Sequence, residues 1–330
     1  MREICFVLVP EFPLYALVPA IEALRLANQN AGTTLYDWVF ASCDGGPVTA
    51  GNGMVIEATQ PLSSTLTQSF AIVCAGNDPT RMLQRELLDW LHRRAVFGTR
   101  LGALDTGTFA LAAAGVLTGY RVTLHWEAIP AYRDLYPNAD VVEELFVVDR
   151  GRWTCAGGTA ALDMMLHLIE EDHGPALAQI VANGFVHGRG RPSNTPQRAV
   201  AGDAAPPIWL KVSRLMAEHI SYPLPIEELC VRSGASRRTV ERLFQRASGV
   251  SPATHYLWLR LDKARDQLFY TDETISHIAE VTGFQSSAHF SRAFKERYGA
   301  TPSAFRRSSS AERRHLYHPV GLRISRQDRS

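Results

Sequence analysis

The chain has 330 residues, 46% of them hydrophobic and 20% charged, with a formal net charge of +1, which is room for two domains that each bury a sizeable core. No apolar run approaches the ~20 residues that cross a bilayer, so no membrane partner is expected; the opening Met1-Arg-Glu-Ile-Cys-Phe-Val lacks a cleavable signal pattern, and a cytoplasmic location follows. Cys5, Cys43, Cys74, Cys155 and Cys230 are odd in number, widely spaced and without a C-x-x-C pair, which argues against a disulfide framework and a structural zinc site; no metal or other cofactor is expected.

Charge is unevenly spread. From Pro206 onward there are 20 Lys or Arg against 12 Asp or Glu, and before it 14 against 21. A basic C-terminal part behind an acidic N-terminal part is the footprint of a nucleic-acid-binding module carried by something else.

In chain order, Ile4 to Val9 is an apolar run ended by Pro10, and Leu14 to Asn28 carries Leu17, Ile21 and Leu24 at helical spacing despite Pro19. Further strands are expected at Trp38 to Ser42, Ala71 to Cys74 and Leu101 to Leu104, with a helix from Thr80 to Arg94 between them. Such alternation predicts a parallel sheet covered on both faces. In these sheets ligands sit beyond the C-terminal strand ends. That rule selects Glu11 and Phe12, Ala75 to Asp78 with Asn77 and Asp78, Asp105 to Thr108, and His125 to Glu127. Gly102-Ala-Leu-Asp-Thr106-Gly107-Thr108-Phe-Ala-Leu reads as a strand, a sharp turn and a small-residue helix, an elbow that lifts one side chain above the sheet.

Other readings of these residues stay open. His125 and Trp126 suit packing at a pocket edge as well as ligand contact, Glu11 suits a solvated strand end, and Asp105 suits a helix cap. Cys155, in Thr154-Cys-Ala-Gly-Gly158-Thr-Ala-Ala-Leu, reads as a small buried residue. Helices Thr159 to Glu171 and Pro175 to His187 close the domain. The Gly-, Pro- and polar-rich stretch 189–207 predicts a linker.

Helical periodicity resumes at Trp209, and 223–307 holds one pattern twice. In the first copy a helix ends at Gly234, Ser236 caps the next, and Val240, Leu243 and Phe244 face inward; in the second the same roles fall to Gly283, Ser286, Phe290 and Phe294. Arg237, Arg238, Glu241, Arg242 and Arg246 are left facing outward in one helix, and Ser287, Ala288, His289, Arg292 and Lys295 in the other. Two helix-turn-helix units joined by a helix over Leu257 to Phe269 suit a pair of major-groove readers. Residues 308–330, rich in Ser and Arg, predict a disordered tail that adds phosphate attraction.

The 208–307 stretch, with Leu259-Arg-Leu-Asp-Lys-Ala-Arg265 and Gly283-Phe284-Gln-Ser286-Ser-Ala-His289-Phe290-Ser-Arg292-Ala-Phe294, resembles the AraC/XylS-type DNA-binding domain. The resemblance implies recognition helices in successive major grooves, about 34 Å apart. Its base-facing residues would be Arg238, Glu241 and Arg242, with Arg237 beside them, and Ser287, Ala288, His289 and Arg292. Ala288 can offer a thymine only a methyl contact. The elbow, the leading strand and Leu117-Thr-Gly-Tyr-Arg-Val-Thr-Leu-His125-Trp126-Glu127 make residues 1–188 similar to the PfpI-like, class I glutamine amidotransferase-like domain. That implies a flavodoxin-like α/β sandwich ahead of an all-α double helix-turn-helix domain. Enzymatic members carry a cysteine nucleophile at the elbow, a position read here as Thr106, whose hydroxyl is hard to ionise; the chain is therefore read as a binding protein and not an enzyme, the alternative being an amidotransferase-like hydrolase or lyase with an appended DNA-binding domain.

Both halves together, with Thr154-Cys-Ala-Gly-Gly-Thr-Ala-Ala-Leu-Asp163-Met-Met and Phe185-Val-His187, resemble the GlxA-type branch of AraC-family regulators, and within it the regulators of carnitine, glycine-betaine and arginine catabolism. The resemblance implies a sequence-specific activator that binds double-stranded promoter DNA, works with RNA polymerase as a homodimer, and senses a small amino-acid-like or quaternary-ammonium effector. In the expected pocket the elbow at Thr106, Gly107 and Thr108 holds a carboxylate, while Glu11 with Phe12, Tyr15 or Trp126 holds a cation; Asn77, Asp78 and His125 complete it.

Overall fold

The computed structural model describes residues 1–64, 68–76, 83–198 and 207–307. The tail expected at 308–330 lies outside them. Two compact units divide the chain, Met1–Arg198 and Ala199–Ser330.

The first unit begins with β1 (Arg2–Leu8), α1 (Leu14–Ala31), β2 (Tyr36–Ser42), β3 (Val48–Thr49), β4 (Val55–Ile56), β5 (Gln60–Pro61) and β6 (Phe70–Ala75). It continues with α2 (Arg85–Val96), β7 (Arg100–Asp105), α3 (Thr108–Ala113), β8 (Arg121–Val122), α4 (Ile129–Leu135), β9 (Asp140–Val141), β10 (Phe146–Asp149), β11 (Arg152–Cys155), α5 (Ala160–His173) and α6 (Pro175–Gly184). Seven strands form one sheet in the order β10-β11-β7-β6-β1-β2-β5. All pairings are parallel except β10 with β11. This is the flavodoxin-like arrangement, edged by one antiparallel hairpin.

Successive strand residues face opposite sides of a sheet, and β1 is buried on both. Ile4, Phe6 and Leu8 join one core with α1, α5 and α6, while Cys5 points toward Arg94 of α2, with burial pushing its thiol up to about 12. This is why β1 reads as a continuous apolar run rather than an alternating one. α1 runs through Pro19 to a left-handed Gly32 at φ 64°. The helix expected from Thr80 begins instead at Arg85; residues 77–82 lie outside the described ones.

The second unit is helical: α7 (Pro207–Glu218), α8 (Ile226–Ser233), α9 (Arg237–Ser248), α10 (Pro252–Tyr270), α11 (Ile275–Val281), α12 (Ser287–Tyr298) and α13 (Pro302–Arg307). It has two small cores. Val212, Met216, Leu229, Val240, Phe244 and Tyr256 form one; Leu261, Leu268, Ile278, Phe290, Phe294 and Phe305 are among those that form the other. α10, with 19 residues, contributes to both and spans about 28 Å at 1.5 Å per residue. Among the described residues no helix is long and apolar enough to cross a membrane.

Candidate nucleic-acid interface and ligand cleft

Each helix pair of the second unit is set by local chemistry. Ser236 Oγ accepts from Thr239 N at 3.2 Å and Ser286 Oγ from His289 N at 3.2 Å, which satisfies donors that the first turn of a helix leaves open. Gly234 and Gly283 turn the chain at φ 74° and 77°. Arg260 of α10 then fixes the second turn: its Nε donates to Thr282 O at 2.8 Å, its Nη2 to Gly283 O at 2.7 Å, and its guanidinium lies 4.2 Å from the Phe284 ring centroid.

The outward faces carry the expected side chains. Arg238, Glu241, Arg242 and Arg246 of α9 are exposed, as are Ser287, Ala288, His289, Arg292 and Lys295 of α12. Arg237 is also exposed, but it is held by Glu241 at 3.0 Å and by Glu227, so Arg237 and Glu241 must exchange that pair to read bases. His289 packs edge-on against Phe284 at 5.5 Å between centroids. Arg238, Arg242, Arg246, Arg292 and Lys295 make no side-chain hydrogen bond or ion pair among the described residues, leaving five cations free on the two faces.

In the first unit the sharp turn after β7 falls one residue earlier than Thr106. Asp105 has φ 59°, the left-handed region that Asp tolerates better than most residues. Gly107 makes the turn possible, since a Cβ there would sit 2.4 Å from Val73 O. Thr106 and Thr108 are buried, and their hydroxyls are spent on main-chain carbonyls: Thr106 Oγ1 donates to Gly76 O at 2.5 Å and Thr108 Oγ1 to Thr123 O at 2.8 Å. The elbow therefore presents a carboxylate, not a hydroxyl.

Asp105 is 5% exposed. Its Oδ2 accepts from Tyr15 OH at 3.3 Å, and Gly157, at φ 84°, covers it so closely that a Cβ would lie 2.5 Å from Oδ2. Burial pushes the carboxyl up to about 6; His125 and the Tyr15 bond pull it down, and Glu127 pushes it up again.

Above this turn is a cleft of about 170 Å³ whose walls include Tyr15, His125, Trp126, Gly157, Arg191 and Gln197. His125 Nδ1 is 3.9 Å from Glu127 Oε2, and the Trp126 ring carries Arg198 at 4.5 Å. One ring face of Trp126 is thus already taken by a cation. Of the expected pocket residues, Tyr15, His125 and Trp126 come together here. Phe12 does not: it is fully buried in the core with Phe6 and Leu24, so it has no ring face to offer a ligand. Glu11 is half-buried at φ 66° and stands outside the cleft wall. Asn77 and Asp78 lie outside the described residues.

Sequence reasoning missed Gly157, Arg191 and Gln197, and put Asp105 at the strand end but left it open as a helix cap. The Cys-Ala-Gly-Gly-Thr run was the available signal for Gly157, because paired glycines after a strand mark a close backbone approach. Cys155 beneath it is inert: it accepts from Gly157 N at 3.3 Å, and burial pushes its thiol far above the usual range.

Arg191 and Gln197 belong to the stretch expected to be linker. Residues 189–198 are instead strapped to the first unit. Leu145 N donates to Thr195 O at 3.0 Å, Gln197 Nε2 to Leu124 O at 2.8 Å and Glu144 O at 2.9 Å, and Arg198 pairs with Glu143 at 2.8 Å. At the other end Arg191 binds the wholly buried Asp163 through Nη2 at 2.6 Å, Nε at 3.0 Å and its main-chain N–H at 2.7 Å.

Comparison with known proteins matches residues 2–171 to the DJ-1/PfpI family and residues 229–308 to a helix-turn-helix domain. The HTH-type transcriptional regulator CdhR of Pseudomonas aeruginosa is 41% identical over 305 residues, which cover 92% of this chain and 90% of that protein. The HTH-type transcriptional regulator GlxA of Rhizobium meliloti is 35% identical over 323 residues, 94% and 97% of the two chains. A crystal structure of an AraC family transcriptional regulator from Pseudomonas putida superposes with a TM-score of 0.52 at 26% identity, over 56% of this chain and all of that one.

Proposed function

Since the chain belongs to the HTH-type transcriptional regulators that join a DJ-1/PfpI domain to an AraC-type helix-turn-helix domain, we propose that it activates specific promoters in response to a small amino-acid-like or quaternary-ammonium metabolite. DNA binding and transcription regulation are shared with those relatives. The finer reading is carried by the row of unpartnered cations on α9 and α12, exposed side by side with small polar groups. In this reading Arg238 and Arg242 read bases of the first half-site, Ser287, Ala288, His289 and Arg292 those of the second, and Arg246 and Lys295 contact phosphates. A second copy of the chain and RNA polymerase are the protein partners of this reading, and the cytoplasm its place of action.

Two features support a binding role for the first unit rather than catalysis. The strained elbow carries the carboxylate of Asp105 where a thiol nucleophile would stand, and the neighbouring Cys155 thiol is held protonated by burial. A carboxylate covered by Gly157 and Tyr15 is shielded from a reacting carbon but attracts a cation through the cleft.

Substituting Arg242→Ala tests the DNA reading. Specific binding should weaken by about 1–3 kcal/mol, with the salt dependence little changed, if this residue reads a base. Equal losses on operator and random DNA would place it on phosphate alone. No loss on either would remove α9 from the groove.

A further inference from the structure

Opposite charges meet at the cleft, and they come from different parts of the chain. Its floor is Gly157 and Tyr15, and directly beneath them lies Asp105, buried and hydrogen-bonded by Tyr15 and the Thr106 main chain. Its wall carries Arg191, whose Nε and Nη2 are bound to Asp163 and whose Nη2 also donates to Thr159 Oγ1 at 2.8 Å. The Nη1 edge makes no hydrogen bond among the described residues. The elbow cannot take an incoming carboxylate, because the Asp105 carboxylate already stands there.

We propose that the cleft holds a compact zwitterion end to end, with its cationic head over Asp105 and its carboxylate on the Nη1 edge of Arg191, so that the strap 189–198 is itself part of the binding site. The proposal rests on the effector reading above and adds the polarity and the strap. At about 170 Å³ the cleft is below the range that holds drug-sized ligands, which restricts it to small metabolites. With the Arg198–Glu143 pair beside Trp126 counted in, Asp105, Glu127, Asp163 and Glu143 outnumber Arg191 and Arg198 around it, so a lone anion is repelled, while a cation alone leaves Nη1 unused.

The strap gives the site its consequence. Ser193 and Thr195 accept from Phe146 N and Leu145 N at the edge of β10, Gln197 is fixed on Leu124 and Glu144, and the chain then runs on toward the second unit. A ligand that binds Arg191 draws on the same guanidinium that ties the strap to Asp163, and so favours one seating of the strap over another. That difference in affinity between seatings is what can bias the regulator.

The test uses full-length protein at pH 7.5, with thermal shift and calorimetric titration. Glycine betaine and L-arginine are the zwitterions, choline and agmatine their counterparts without the carboxylate, and 3,3-dimethylbutanoate the betaine isostere without the positive charge. At least one zwitterion should bind, its carboxylate-free counterpart at least tenfold more weakly, and the uncharged-head isostere not measurably. Arg191→Lys keeps a cation against Asp163 but lacks the Nη1 edge; it should lose at least tenfold in zwitterion affinity and leave the carboxylate-free compound unaffected. Amide exchange at Leu145 and Phe146 should slow on binding.

A zwitterion bound as tightly by Arg191→Lys as by the unaltered protein overturns the assignment of Arg191 while leaving the effector reading standing. So does choline or agmatine binding as tightly as its zwitterion, a comparison that needs no variant should Arg191→Lys fail to fold. If no compound binds the unaltered protein, the effector reading falls and the proposal with it.

Discussion

Replacing Asp105 by asparagine should make the protein more stable and less able to bind the zwitterion proposed above. An ordinary aspartate titrates near 3.9, whereas burial beneath Gly157 and Tyr15 pushes Asp105 up to about 6. A raised carboxyl binds its proton more readily in the folded than in the unfolded chain. The resulting destabilisation is absent below about pH 4, grows between about pH 4 and pH 6, and is complete above that. Two pH units correspond to about 3 kcal/mol. Asn tolerates the left-handed backbone as Asp does and its Oδ1 can still accept from Tyr15, so Asp105→Asn should gain about 2–3 kcal/mol at pH 7.5, or about 5–10 °C in the melting of a unit of this size. The measurement is thermal unfolding of both proteins from pH 4.5 to 7.5 by tryptophan fluorescence. Other carboxylates titrate alike in both and cancel in the difference. A gain that is missing at pH 7.5, or that does not shrink toward pH 4.5, would refute the reasoning.

Two further substitutions probe neighbouring steps. Arg260→Leu keeps the apolar stem but removes both carbonyl bonds at Thr282 and Gly283 and the stacking on Phe284; about 2–4 kcal/mol should be lost, and protection of the second half-site in a footprint should go before that of the first. A melt of the second unit unmoved by this change would mean that α11 and its turn do not depend on Arg260. Gly157→Ala brings a Cβ onto Asp105 Oδ2 at a φ of 84° and should cost about 1–3 kcal/mol in strain, with effector affinity falling at least tenfold; unchanged affinity in titration would show that the position of Asp105 is not what the ligand reads.

The helix-turn-helix pair was legible because its signals are local. A serine three residues ahead of the N–H it caps, a glycine at the turn and aromatic residues at helical spacing are all visible within twenty residues, and they reappear as Ser236 and Ser286, Gly234 and Gly283, Phe244 and Phe290. The sheet was legible for a similar reason, since buried parallel strands read as short apolar runs. The elbow was located but misnumbered by one residue. Periodicity does not say which residue of Leu-Asp-Thr-Gly leaves the strand, and only the backbone, pressed between Val73 and Gly157, puts the left-handed turn at Asp105. The strap was illegible altogether. Gly188-Arg-Gly-Arg-Pro-Ser-Asn-Thr-Pro has the composition of a linker, and what holds it is a set of partners distant in sequence: Asp163, Leu145, Leu124 and Glu143.

These two misreadings bear on the same mechanism. The elbow expected from the sequence to expose a reactive side chain here strains its backbone to bury a charge, and a buried charge without a strong cationic partner is a standing destabilisation that a cationic ligand can relieve. The relief is bounded by what burial costs Asp105, about 3 kcal/mol on the shift to about 6. That bound corresponds to about a 150-fold preference between conformations if all of it is coupled to the strap. A regulator needs no more than this to move a promoter from mostly silent to mostly active, provided the two seatings of residues 189–198 are close in free energy before the ligand arrives. The free Nη1 edge lets the ligand add to the Arg191–Asp163 pair rather than compete with it, so the seating that binding favours is the one in which that pair is formed.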